Sequence, residues 1–182
     1  MEHDRKPGWG SRGVTMVELL AAVGILALLA VVLAVGLNTA IHSYHTMISR
    51  AERELLLSTA SNAVTEELRC ARSVEADGDT AVKYSSARYG PNAVLTTEAA
   101  GHVGHLVVQC GATGSYTYYE LLPSASTSEG TYGGAYGNNG VYKVKLTVLG
   151  YADQVLTFKL TVEEDNYGEA SGTFAVRCLI GG

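Results

Sequence analysis

Arg12-Gly13-Val14-Thr15-Met16-Val17-Glu18-Leu19-Leu20 opens an apolar run that continues to Leu37 and governs how the rest of the chain is read. The run from Val14 to Leu37 is 24 residues long and holds one charge, Glu18. At about 1.5 Å per residue a helix of that length crosses a ~30 Å hydrocarbon core with some tilt. A carboxylate in such a run costs roughly 2.5–3.5 kcal/mol at mid-membrane, which makes Glu18 a functional candidate. One turn in from Val14, it also has the plainer option of snorkelling to the interface. Ala21, Ala22, Gly24, Ala27, Ala30, Ala34 and Gly36 stud the run, with Ala30 and Ala34 at a spacing that lets helices approach closely. Small residues are also simply common in membrane helices.

A short charged leader ending in Gly, followed by one residue, Thr, two more, Glu and an unbroken apolar helix, resembles the cleavage and methylation segment of type IV prepilins and pseudopilins. Gly13 matches the last leader residue, Val14 the first mature one, Thr15 the second and Glu18 the fifth. The resemblance covers roughly Gly13 to Leu37. It implies cleavage after Gly13 by an inner-membrane prepilin peptidase, which is also the methyltransferase, and N-methylation of the new amine on Val14. It further implies an assembly platform in the same membrane and a filament core in which the helices of neighbouring subunits pack. There Glu18 would meet the terminal amine of a neighbour, an attraction that grows as the effective dielectric falls. Major pilins most often have Phe where Val14 stands, so the match leans towards a minor pilin or pseudopilin. The residues fit a type IV pilus, a type II secretion pseudopilus and a competence pseudopilus alike.

Net charge is −5, and the leader Met1 to Gly13 carries +1 of its own, so a processed chain would be −6. That balance argues against a broadly basic nucleic-acid-binding face. Arg5, Lys6 and Arg12 favour a cytoplasmic N-terminus with the remainder outside, a bias moderated by Arg50 and Arg53 beyond the other end. An ordinary secretory signal has a shorter apolar core of ~7–15 residues and would not carry Glu18. Ala34-Val35-Gly36 nonetheless has the form of a signal-peptidase site, and cutting there would release a soluble domain.

No Gly or Pro occurs from Leu37 to Asp77, and Asp77-Gly78-Asp79 supplies a stop, with Arg69 and Arg72 near a helix C-terminus. The pattern predicts one helix from about Val14 to Ala76. Pilins often have Pro near the place of Val35, so a straighter helix is expected, with Gly36 its weak point. Beyond the membrane half, Leu56, Leu57, Ala60, Ala63, Val64, Leu68, Ala71 and Val74 fall on one broad face at helical spacing. Glu67 projects into that face without an evident partner. The chain thus divides into a leader (1–13), a transmembrane or filament-core helix (14–37), its amphipathic continuation (38–77) and a β-rich headpiece (78–182).

After Asp79 the pattern becomes strand-like. Thr80 to Tyr84 and Ala93 to Thr97 are short candidates; His102 to Cys110 and Ser115 to Leu122 are longer, joined by a turn at Gly111–Gly114. Tyr142 to Val148, Val155 to Glu163 and Thr173 to Ile180 alternate apolar and polar residues most clearly. The fold class is therefore α+β, a long N-terminal helix packed on an antiparallel sheet.

Pro123 to Gly140 is a Gly- and Ser-rich loop with Tyr132 and Tyr136 set into it, read as a hairpin connection or as a contact surface for a ligand or neighbouring subunit. The acidic stretch Glu163–Glu169 fits no EF-hand spacing and reads as a solvated turn. Cys70, Cys110 and Cys178 allow one disulfide, with Cys110–Cys178 the preferred pair, or three free thiols. His42 and His45 lie at i,i+3 on the helix. His102 and His105 fall on opposite faces of the expected strand, a poor shared metal site. No metal, cofactor or enzymatic signature emerges. The expected role is structural: a subunit that is the substrate of cleavage and methylation. Two alternatives stand beside it, a DNA- or surface-binding pilus tip using the Tyr-bearing loop, and a plain membrane-anchored or secreted β domain.

Overall fold

A computed structural model describes residues 14–112, 114–124, 136–137, 140–164 and 168–178. The leader with Gly13, and with it the cleavage position, lies outside them, as do Tyr132, residues 165–167 of the acidic stretch and Ile180. The architecture is α+β, with one helix, α1 (Met16–Arg69), ahead of eight strands. The chain divides into two compact units, Met1–His45 and Thr46–Gly182.

In the first unit every described residue from Val14 onward is exposed, and from Met16 onward every one is helical. The helix passes through Gly36 without a break. Its start is set by Thr15, whose Oγ1 accepts the Glu18 backbone N–H at 3.3 Å while the Glu18 carboxylate accepts the Thr15 N–H and hydroxyl, both at 3.0 Å. This reciprocal capping box satisfies N–H groups that a helix end otherwise leaves unpaired.

The second unit begins within α1, whose segment Thr46–Arg69 is the amphipathic part. Ala60, Val64 and Leu68 are fully buried, and Leu56, Leu57 and Ala63 pack partly against the same core. The helix ends at Arg69, seven residues short of Ala76. Ala71 and Val74 are buried as expected, but from a strand, β1 (Arg72–Ala76), which pairs antiparallel with β2 (Ala81–Ser86). Arg72 accordingly pairs across the sheet with Ser85 and lies outside the helix end. Asp77-Gly78-Asp79 is then a hairpin turn, with Gly78 at φ 73° and the Asp77 N–H donating to the Ala81 carbonyl at 3.0 Å. Pairing with β2 outweighs the modest helix propensity of these residues.

β3 (Gly90–Thr96), β4 (Val107–Ala112) and β5 (Ser115–Glu120) complete a five-stranded antiparallel meander in the order β1-β2-β3-β4-β5. β6 (Tyr142–Ala152), β7 (Val155–Glu164) and β8 (Gly168–Arg177) form a second, three-stranded meander. The alternation in these three strands is realised as read: Leu156, Phe158, Leu160 and Val162 of β7 are fully buried. Two sheets thus stand where one was expected, and they share a core with α1. The outer edge of β6 is closed by loops of the first sheet. Val144, Leu146 and Val148 donate N–H groups to Gly104 O, Thr97 Oγ1 and Asp79 O at 3.0, 3.0 and 2.7 Å. One side-chain hydroxyl and two loop carbonyls there take the place of a fourth strand of this sheet, which covers an otherwise open edge.

Candidate functional site

The sequence points first to the N-terminal end of α1, and there the geometry is simple. Val14 is 71 % exposed, and every large apolar side chain from Met16 to Leu37 is exposed as well. A surface of this kind is unstable against water and calls for lipid or other helices. The helix is long and apolar enough to cross a membrane. Glu18 sits one turn from Val14, its carboxylate held at the helix start by Thr15. The T-x-x-E spacing announces this cap, a signal overlooked when Glu18 is considered only as a charge in lipid.

Within the second unit, the α1 segment from Thr46 onward is bound to the strands by polar contacts as well. Arg53, on the same stripe as Leu57, Ala60 and Val64, is ion-paired with Glu164 at the end of β7, and both residues are buried. Ser49 donates to the same carboxylate at 3.4 Å, and Tyr142 donates its hydroxyl to Glu52 at 2.7 Å. Glu67 has its partners here: the Tyr84 and Ser86 hydroxyls both donate to Oε1 at 3.0 Å. Burial, with the Glu67 carboxylate beside it, pushes the Tyr84 phenol far above its usual range. Only the in-phase position of Arg53 on an otherwise apolar face hints at the Arg53–Glu164 pair in the sequence.

At the cysteines and the Tyr-bearing loop the sequence leaves two readings open. Cys110 and Cys178 form no disulfide; all three cysteines are free thiols. Cys110 lies in β4 of the first sheet, Cys178 follows β8 of the second, and Cys70 is exposed past the helix end. Burial raises the thiol pKa of both Cys110 and Cys178. Tyr136 is buried rather than offered to a ligand. Its backbone pairs with Tyr142, and its hydroxyl oxygen accepts the Leu106 N–H at 2.7 Å.

A correction concerns the histidines. The strand expected from His102 starts only at Val107, because Gly101 and Gly104 adopt left-handed φ of 76° and 80° and fold residues 99–105 into turns. The alternation of faces holds only along an extended strand, so the opposite-face argument lapses here. The His102 and His105 rings lie edge to face at 5.5 Å, and their Nδ1 atoms stand 3.8 and 3.0 Å from Glu120 Oε1. Among the described residues this is the group of ligating side chains close enough to hold a metal ion. The helical pair His42 and His45 is not drawn into any such group.

These features define a class: an α+β protein whose helix-and-sheet unit is preceded by a bare apolar helix long enough to cross a membrane. No family model, no curated protein and no solved structure matches the chain.

Proposed function

We propose that this chain is a minor pilin or pseudopilin, a non-catalytic subunit of an extracytoplasmic filament. Its precursor is anchored in the membrane with the N-terminus in the cytoplasm. A prepilin peptidase cuts between Gly13 and Val14 and methylates the Val14 amine. The helix then leaves lipid for a bundle of like helices, delivered by an inner-membrane assembly platform. The observation that carries this reading is an exposed apolar run of 24 residues, helical from Met16, with one acid, Glu18, held at the helix start beside the proposed new terminus. A carboxylate and an ammonium that are each poorly solvated gain from meeting. The α+β fold supports the reading, since helix-on-sheet is the design of pilin headpieces.

The test is N-terminal mass spectrometry of the protein from its native host. A mature chain beginning at methylated Val14 is expected. A chain beginning at Met1, or beyond the apolar run, would leave only an anchored or secreted β domain.

A further inference from the structure

We propose that His102, His105 and Glu120 form a binding site for one divalent transition-metal ion of the zinc class. The argument starts from the scaffold. Glu120 ends β5 and is paired with Val107, two residues after His105, and the next rung is the Leu121 N–H donating to Leu106 O at 3.0 Å. The histidines are fixed by the His102 N–H to Ala99 O and His105 N–H to His102 O bonds, at 2.9 and 3.0 Å, and by the Gly104 N–H to Thr97 O bond at 2.9 Å. Ladder and turn thus hold the three side chains together before any ligand arrives, independently of the N-terminal helix.

The donor atoms converge. One ligand atom from each residue lies within 4.8 Å of the others. Ligands bound tetrahedrally to zinc at 2.0–2.1 Å stand about 3.3 Å apart. The observed 3.0 and 3.8 Å to Glu120 Oε1 bracket that value, and the remaining pair lies within 4.8 Å, so closing the set on an ion takes a side-chain adjustment of at most about 1.5 Å. The carboxylate is also aimed: Ser124 donates its hydroxyl to Oε2 at 2.6 Å, leaving Oε1 to the histidines. Such outer hydrogen bonds are what orient ligands in metal sites. The Tyr118 ring packs against His102 at a tilt of 38°, with centroids 4.8 Å apart.

A hydrogen bond between His105 Nδ1 and Glu120 Oε1 explains only part of this arrangement. His102 Nδ1 and His105 Nε2 are both buried without a hydrogen-bond partner, and His105 is fully buried. Buried polar atoms are nearly always satisfied, so the orphaned His102 Nδ1, on the side of the cluster that meets Glu120 Oε1, indicates a missing partner; His105 Nε2 points away from that spot and is not served by the same ion. Two imidazoles and one carboxylate suit zinc and its neighbours, whereas calcium and magnesium take oxygen donors. The His102 and Glu120 side chains remain 20 % and 23 % exposed, which leaves an entry path and a fourth position for water or a donor from another molecule.

Full-length protein in detergent, stripped with a chelator, is titrated with Zn2+ by calorimetry and with Co2+ by visible absorption. One ion per chain is expected, with the strong visible bands of four-coordinate cobalt. His102→Ala and Glu120→Gln should each weaken binding at least about tenfold. Zinc should raise the melting temperature of the wild type and leave that of Glu120→Gln almost unmoved. Replacing both His42 and His45 by Ala should change nothing. Absence of saturable binding would overturn the proposal, as would binding that survives both His102→Ala and Glu120→Gln or that disappears with His42 and His45. Should His102→Ala lose its far-ultraviolet dichroism, the Glu120→Gln titration and the wild-type cobalt spectrum still decide.

Discussion

The guanidinium of Arg53, in the helix, is paired with the carboxylate of Glu164, at the end of the central strand of the second sheet, and neither is open to water. The two residues are 111 positions apart in sequence. Removing one partner of a buried pair strands the other charge, at roughly 3–5 kcal/mol, whereas replacing both with apolar groups is often neutral. Arg53→Met is therefore expected to destabilise the protein by about 3 kcal/mol or more. Adding Glu164→Leu should restore most of the loss, as read from the denaturant midpoint of the double-mutant cycle.

At the start of the helix, cap and charge can be separated. Gln serves in a capping box as Glu does, but carries no charge. If Glu18 acts through a neighbour's amine, Glu18→Gln and Glu18→Ala both lower incorporation into filaments while membrane insertion is kept. If Glu18 is only a cap, Glu18→Gln incorporates normally. Quantifying the subunit in sheared filaments against the membrane fraction distinguishes the two.

Alkaline titration should expose the buried phenols. Tyr84 and Tyr136 have pKa values raised above the ordinary value of about 10, chiefly by burial. With the folded-state pKa above the unfolded one, their contribution to stability is complete below pH ~10 and falls as pH rises beyond it. The loss is about 1.4 kcal/mol per pH unit for each phenol. Absorbance of tyrosinate should therefore rise in two stages, the late one coinciding with loss of the fold. A single early transition for all 11 tyrosines would contradict this.

Thiol labelling should be ordered by exposure. Cys70 is exposed, while burial raises the pKa of Cys110 and Cys178 and so lowers their thiolate fraction at neutral pH. Iodoacetamide at pH 7.5 is expected to modify Cys70 first by at least about tenfold in rate, with Cys178 reacting only on unfolding. Peptide mapping over time checks the order, and equal rates would refute it.

The turn between β6 and β7 offers a gain in stability. Asp153 and Gln154 hold φ of 50° and 66°, the two left-handed positions of a tight hairpin, without a glycine at either. Left-handed backbone costs an ordinary residue roughly 1–2 kcal/mol, partly offset by the entropy a glycine would lose. Gln154→Gly should stabilise the protein by about 0.5–1 kcal/mol in thermal melts.

What could be read before the structure was what repeats locally. The apolar run from Val14 to Leu37, the helical stripe through Ala60, Val64 and Leu68, and the alternation of Leu156, Phe158, Leu160 and Val162 each announce themselves within a few turns or residues. Burial of a periodic face is a property of the segment itself. Only the tertiary structure decided where the helix stops, since residues 72–76 satisfy their backbone by pairing with β2 rather than by continuing the helix. It decided that the strands form two sheets, through loop groups that close the edge of β6. It also brought Arg53 to Glu164, Glu67 to Tyr84, and His102 and His105 to Glu120. Polar contacts between residues far apart in the chain leave no periodic trace, because each depends on where backbone geometry happens to place two side chains. The glycines that fold residues 99–105 into turns show how little sequence such a placement requires.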